Sequence, residues 1–330
     1  MTLSSGKISV ALIFGGRSGE HEISIRSAQS IREALDRTKY RVVDYFIDRA
    51  GKWDPRAISP EPAANPEIDV AFPVLHGTFG EDGTVQGLLE LAELPYVGAG
   101  VLASAVSMDK VLSKRLCRDA GLPVVPHLVL TCGRFDPAAV ELPFDFPVFV
   151  KPANLGSSVG ISKVKSAGAL KDALEAAARF DCKLLIEKGI EGREFECAVL
   201  GGAASQASIP CEILPSQEFY TYEDKYLLDQ ARIDLPANLT REQTSQLQEL
   251  AIAAFRAVDC YAMARVDFLM ETSTGRFFVN EINTIPGFTS ISMYPKMWAY
   301  SGIAYPELLD RLIHFAVERA DARRQLQFSR

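Results

Sequence analysis

Four polar residues on one predicted hairpin carry the most specific chemistry in this 330-residue chain. Arg265-Val-Asp-Phe-Leu-Met270 and Phe277-Phe-Val-Asn-Glu-Ile-Asn283 alternate as paired strands do, and a three-residue loop, Ser273-Thr274-Gly275, puts glycine where a left-handed residue is wanted. A loop centred on Thr274 sets Asp267 opposite Glu281 and Arg265 opposite Asn283. Opposed residues share a face, as do residues two apart on one strand. Arg265, Asp267, Glu281 and Asn283 therefore project together, while Val266 and Ile282 point the other way. Two carboxylates and an amide oxygen make a hard-oxygen set suited to Mg²⁺, a cation that shares its shell with substrate phosphates. Ordinary cross-strand polar pairs give the same pattern, but an Asp directly across from a Glu is repulsive without a cation. Arg265 is then available for negative charge that develops beside the metal.

A cation of this kind calls for a phosphate cradle. No G-x-x-x-x-G-K-[ST] motif is present, so a P-loop is ruled out. Phe146-Pro-Val-Phe-Val-Lys-Pro152 instead delivers Lys151 into the loop Ala153-Asn-Leu-Gly-Ser-Ser-Val-Gly160. Backbone N–H groups of such a loop can close over phosphate oxygens while Lys151 supplies charge. A plain turn has the same composition, and the residues alone leave both readings open. Lys110 poses a similar choice. Ser107 reads as a helix cap with Met108-Asp-Lys110 in the first turn, where a lysine opposes the helix dipole unless an anion sits there. A solvated lysine beside Asp109 fits equally well. Leu184-Leu-Ile-Glu-Lys188, followed by Gly189-Ile-Glu-Gly-Arg-Glu-Phe195, reads as strand, linker and second strand. Glu187 and Lys188 could meet a purine there and Glu194 a ribose hydroxyl, although the spacing does not demand it.

The surrounding elements alternate strand and helix through the first hundred residues. Strands are expected at Ile8 to Phe14, Arg41 to Ile47 and Ile68 to Leu75, with a helix after Gly15-Gly16 and another from Thr84 to Leu91. This order predicts parallel pairing with right-handed crossovers and ligand-facing loops at the strand ends. A smaller α+β module follows, with a helix from Ser107 to Ala120, strands at Val124 to Leu130 and Phe146 to Lys151, a helix from Ala167 to Phe180 and a strand from Lys183 to Glu187. The remainder offers strands at Glu194 to Leu200 and Ala207 to Ile213, and an aromatic polar stretch at Glu218 to Tyr226. A helix across Thr240 to Val258, the hairpin and terminal helices complete it. The expected division is 1–98, 99–187 and 188–330.

Length, at about 150 residues per domain, permits two or three domains with full cores. Hydrophobic residues at 48% and charged residues at 23% describe an ordinary globular chain. A net charge of −7 disfavours broad contact with nucleic acid or anionic lipid, so any anionic ligand needs a local basic site. The six cysteines form no C-x-x-C pair and read as buried free thiols. No run approaches 18 apolar residues and no signal-peptide core opens the chain, so the expectation is a cytoplasmic protein with no membrane span.

With these pieces in place, the chain resembles the ATP-grasp superfamily and, within it, the D-alanine:D-alanine ligases. The resemblance runs nearly end to end. Its motifs are Phe14-Gly-Gly-Arg-Ser-Gly-Glu-His-Glu-Ile-Ser24, His76-Gly-Thr-Phe-Gly-Glu-Asp-Gly-Thr-Val-Gln-Gly87, Ser107-Met-Asp-Lys110 and Lys151-Pro-Ala-Asn-Leu-Gly-Ser-Ser-Val-Gly160. Tyr220 to Tyr226, Arg265-Val-Asp267 and Asn280-Glu-Ile-Asn-Thr-Ile-Pro-Gly287 complete the set. Each is weak alone, and together they are highly specific.

The resemblance implies a mixed α/β and α+β chain with a three-domain ATP-grasp fold. It has a Rossmann-like N-terminal substrate domain, a central lid, and a C-terminal domain that clasps ATP against the lid. It makes Lys110, Lys151, Gly156, Ser158, Glu187, Lys188 and Glu194 nucleotide ligands, and assigns Asp267, Glu281 and Asn283 to two Mg²⁺ ions, which Mn²⁺ can replace. Glu20 would sit by the first D-alanine's ammonium and connect through Ser157 to Tyr226, tying down the loop of Lys225. His76 would lie near the same substrate. Arg265 and the Gly287 N–H would form an oxyanion hole, and Ser290, Ser292 and Met293 would flank the second D-alanine's carboxylate. The implied reaction is ATP-dependent joining of two D-alanines through an acyl phosphate, for peptidoglycan precursors, by a homodimer. The rivals are a D-alanine:D-lactate ligase and a nucleotide-binding module without turnover. The first lacks the Lys-Tyr pair seen here as Lys225-Tyr226.

Overall fold

In the computed structural model, which describes residues 6–137, 139–157, 159–214 and 232–327, three separate sheets surround the polar residues singled out above. The first contains β1 (Ile8–Gly15), β2 (Tyr40–Ile47), β3 (Trp53–Asp54) and β4 (Val70–Pro73), in the order β3-β2-β1-β4. β1 runs parallel to both β2 and β4. It is apolar on both faces because each face meets a different core. Val10 and Leu12 pack with helix α1 (His21–Ala34), and Ala11 and Ile13 with α2 (Thr84–Leu91). The expected helix crossover holds between β1 and β2. Between β2 and β4 the chain instead folds back as β3, antiparallel to β2.

The helix expected from Ser107 to Ala120 is α4 (Lys110–Asp119), and Ser107 and Met108 instead end a separate helix, α3 (Val101–Met108). Asp109 is the cap, not Ser107. Its carboxylate Oδ1 accepts from the N–H groups of Val111 and Leu112 at 3.0 and 3.1 Å, and its extended backbone turns the chain between the helices. Ala99, Ala103, Cys117 and Leu122 along this stretch belong to the core of the largest sheet.

The second sheet contains β5 (His127–Thr131), β6 (Val148–Pro152), β7 (Ser162–Val164) and β8 (Lys183–Lys188), in the order β5-β8-β6-β7 and antiparallel throughout. Helix α5 (Leu170–Ala177) covers one face, where Val148, Val150, Leu184 and Ile186 are buried. The two-residue period of a strand turns Phe149, Lys151 and Glu187 to the other face.

The third sheet contains β9 (Gly192–Gly201), β10 (Gln206–Ala207), β11 (Cys211–Leu214), β12 (Arg232–Asp234), β13 (Ala262–Glu271) and β14 (Phe277–Asn283). Its order is β12-β11-β9-β13-β14, with β10 on β9. The single strand expected over Ala207 to Ile213 is split, because Pro210 has no N–H for a ladder. Helix α6 (Arg241–Ala257), started by a Thr240–Gln243 capping box, buries Leu247, Ala251 and Phe255 on one face of the sheet. On the other face, α7 (Met293–Tyr300) and α8 (Tyr305–Arg324) share a core with β1 and β4, so Leu12, Phe72, Met263 and Trp298 lie in one cluster. Four cysteines are buried as expected. Cys132 is half-buried and Cys182 exposed, at the end of the β5–β8 pair.

Candidate active site

The hairpin register places Asp267 across from Glu281 and Arg265 across from Asn283, as the sequence predicts, but by a different route. Glu271 N–H donates to Arg276 O, so the turn spans four residues, and the pairs beside it are Met270 with Phe277 and Phe268 with Val279. Asn280 is then an extra residue, a bulge that restores the pairing beyond it. Gly275 holds the left-handed conformation the loop requires, at φ +69°.

Arg265 does not stand free beside these acids. Its Nε and Nη2 donate to the two carboxylate oxygens of Asp267 at 2.7 and 2.6 Å, and Nε lies 3.4 Å from Glu196 Oε2. Glu196 sits on β9 directly beside Asp267, so Glu196, Asp267 and Glu281 form a row of carboxylates across three strands. Burial opposes the Arg265 charge, yet Asp267 and Glu196 raise its pKa well above the usual guanidinium value. The donor chemistry of Asp267, Glu281 and Asn283 fits Mg²⁺, with two carboxylates, one amide oxygen and an adjacent cavity for phosphate ligands. No group of three or more His, Cys, Asp or Glu that could hold a metal occurs among the described residues.

The lysines come from elsewhere. Lys110 and Lys114 lie one turn apart on α4, both buried. Lys110 donates its backbone N–H to Ala153 O at 3.0 Å and its Nζ to Leu155 O at 2.6 Å, and its Nζ stands 3.8 Å from Glu281. Burial pulls its pKa down while Glu281 opposes the shift. Lys151, on β6, is ion-paired with Glu187, whose second oxygen is 2.7 Å from Lys114 Nζ. Burial alone would raise the Glu187 carboxyl, but the two lysines overcome it and hold it down at about 2. Lys151 is raised in turn, with burial opposing and Glu187 prevailing. The Lys151 loop is anchored where it begins, by Asp181 Oδ2, which accepts from both the N–H and the side-chain amide of Asn154 at 2.8 Å.

On the opposite side, Glu20 precedes α1 and accepts from Ser157 Oγ at 2.5 Å, which joins the loop between β1 and α1 to the Lys151 loop. Ser157 takes a left-handed φ of +54° to make this contact. His76 follows β4 and is buried. Its Nδ1 is 3.0 Å from Ile285 O and its Nε2 3.2 Å from Ser27 Oγ, which also accepts from Phe288 N–H at 3.3 Å. One tautomer satisfies all three bonds: Nδ1–H donates to the carbonyl, and the serine hydroxyl donates to Nε2. Burial lowers the His76 pKa, keeping the ring neutral. Beside it, Glu81 accepts from Gly77 N–H at 2.8 Å, and burial together with Glu20 raises its carboxyl well above the usual range.

These groups border two cavities. One, of about 650 Å³, is lined by Lys151, Glu187, Lys188, Glu194 and Asp267. The other, of about 230 Å³, is lined by Glu20, His76, Ser157, Arg265, Gly287 and Asn283, with Ser292 and Met293 at one end. Lys110, Gly156, Glu196 and Glu281 border both. Ser290 is exposed and lies off the lining, whereas its neighbours Thr289 and Ile291 are on it. Ser158, Lys225 and Tyr226 lie outside the described residues. The motif reading passed over Glu196, Lys114 and Glu81. Lys114 was signalled only by its four-residue offset from Lys110, and Glu196 only as an acid in the apolar run of β9.

Comparison with known proteins bears on the whole chain. The family model described as D-ala D-ala ligase C-terminus matches residues 116–314, and D-ala D-ala ligase N-terminus matches 9–65 and 54–99. A D-alanine–D-alanine ligase of Solibacter usitatus is 60% identical over 328 residues, covering 98% of this chain and 100% of the relative. The solved D-alanine-D-alanine ligase of Coxiella burnetii superposes with a TM-score of 0.86 at 39% identity, over 97% of this chain and 96% of its own. The VanG D-Ala:D-Ser ligase of Enterococcus faecalis reaches the same TM-score at 34% identity, over 94% of this chain and 100% of its own. No described helix is long and apolar enough to cross a membrane. Matched by both halves of the family and nearly end to end by a relative, with the ATP-grasp fold those ligases have, the chain belongs to the D-alanine–D-alanine ligase family.

Proposed function

We propose that this enzyme joins two D-alanines into D-alanyl-D-alanine at the expense of ATP, supplying peptidoglycan precursors in the cytoplasm as a homodimer. The observation that carries the reading is the meeting of a large lysine-lined cavity and a smaller one at Lys110, Gly156, Glu196 and Glu281. A nucleotide in the first directs its terminal phosphate at a substrate in the second.

Lys110 and Lys151 take the phosphates, with Gly156 and Ser158 closing over them, and Glu187, Lys188 and Glu194 contact the nucleoside. Asp267, Glu281 and Asn283 would hold Mg²⁺, two ions in the full complex. The metal, when bound, neutralises charge on the transferring phosphoryl group. Arg265 and Asp267 neutralise each other here, so the Asp267 carboxylate would be shared between the guanidinium and a bound cation, and Arg265 borders the cavity where the oxyanion would form.

The first D-alanine is held by Glu20 at its ammonium, with His76 alongside. Its carboxylate oxygen attacks the γ-phosphorus, and ADP leaves. The second D-alanine, with its carboxylate near Lys225, Ser292 and Met293, attacks the acyl carbon with its free amine. Arg265 and the Gly287 N–H stabilise the tetrahedral oxyanion, inorganic phosphate departs, and the amine loses its proton. The Glu20–Ser157 bond ties the Lys151 loop down beside the cavity, and with Tyr226 in the linking role the resemblance implies it would exclude water from the acyl phosphate. ADP release measured against D-alanine, D-serine, D-lactate and the L-isomers tests the reading. Release with D-alanine alone, and dipeptide as product, is expected. Exclusive ester formation with D-lactate, or ADP release that stays at background, overturns it.

A further inference from the structure

Lys114 belongs to none of the roles above, yet it is 2% exposed and its ammonium is the crossing point of the site. It lies 2.7 Å from Glu187 Oε1 on the second sheet and donates to Asn280 O on the third at 2.8 Å. Asn280 is the bulge residue, and Glu281, which faces Asp267, comes directly after it. The other oxygen of Glu187 holds Lys151. A single buried cation therefore links β8, whose Glu187 also holds Lys151, to β14, which carries Glu281.

The arrangement also answers a problem of charge. A phosphate arriving at Lys151 draws that ammonium away from Glu187, and a buried carboxylate stripped of its partner is strongly unfavourable. With Lys114 still in place, Glu187 keeps one cation while Lys151 changes partners. We propose that Lys114 is a positioning residue for nucleotide–metal binding, pinning the Asn280 bulge to Glu187 so that Lys151 can transfer to phosphate while Glu281 stays aligned with Asp267. The proposal rests on the ligase reading for its choice of nucleotide.

Equilibrium binding of Mg²⁺ with a non-hydrolysable ATP analogue, followed by calorimetry on the full chain, tests it without turnover. Lys114→Met should weaken Mg²⁺–nucleotide binding by roughly tenfold to a hundredfold, the range of one buried charged hydrogen bond. Thermal melting establishes that the variant is folded. A packing role alone lowers the melting temperature and leaves the dissociation constant of the folded molecules unchanged. Folded Lys114→Met that binds within twofold of the parent overturns the proposal. Where Lys114→Met does not fold, Lys114→Gln, which keeps a donor for Asn280 O and loses the charge, is read by the same thresholds. Failure of both to fold assigns Lys114 to stability and also overturns it. Absence of D-alanine-dependent ADP release in the parent sinks the ligase reading and leaves this binding test intact.

Discussion

On the side of Glu281 proposed for the nucleotide, buried Lys110, Lys114 and Glu187 are packed with Lys151 between two sheets, each charge answered by one from a different element. On the side proposed for the amino acids, the His76 ring is buried and closed off by a hydroxyl and a carbonyl, with the Ser157–Glu20 hydrogen bond nearby. The first region is held by partners that an incoming anion must displace. In the second, both nitrogens of the His76 ring are satisfied by the protein itself. Phosphoryl transfer needs charges that can be re-partnered, whereas a small zwitterion needs a shaped, pre-satisfied wall.

Four experiments press on this contrast. The largest expected effect is Glu281→Ala, which should reduce Mg²⁺- and D-alanine-dependent ADP release by on the order of 10³-fold. Turnover near that of the parent would remove the acids from the reaction. Lys151→Met should lower kcat/KM for ATP by roughly 10²-fold while the KM for D-alanine changes little. Equal losses for both substrates would erase the distinction between the cavities. Ser157→Ala should raise the KM for D-alanine by about tenfold, one charged hydrogen bond's worth, with the KM for ATP within about twofold. The smallest effect is on stability against pH. Glu187 is held at about 2, below the ordinary 4.5, so its contribution is present above 4.5 and lost as the pH falls toward 2. Burial depresses the His76 pKa from an ordinary value of 6.5, so its contribution is lost as the pH falls below 6.5. Melting curves of Glu187→Gln and His76→Gln should each lack their own step, worth on the order of 3 kcal/mol for Glu187. A single shared transition would show that the two regions do not titrate separately.

Much of the architecture was legible from periodicity. The helix Thr84–Leu91 and the strands around β1, β2, β8 and β9 fall where apolar alternation and turn residues put them. The break at Asp109 was not, because Ser107 and Asp109 are both good caps, and only the packing of Lys110 against Ala153 decides between them. The hairpin is the subtlest instance. Its site register was right although the loop is one residue longer than expected, since the Asn280 bulge compensates for it.

What the residue order determined by itself was local: a strand turns alternate side chains to one face, so Arg265, Asp267, Glu281 and Asn283 were bound to meet once the hairpin closed. The tertiary structure alone brought Glu196 beside Asp267, set Lys114 between Glu187 and Asn280, and joined Glu20 to Ser157. Those partners are 71, 73, 166 and 137 positions apart, in the order of the contacts just named. Short-range periodicity carries no information at such separations, because packing of whole sheets against one another sets these distances.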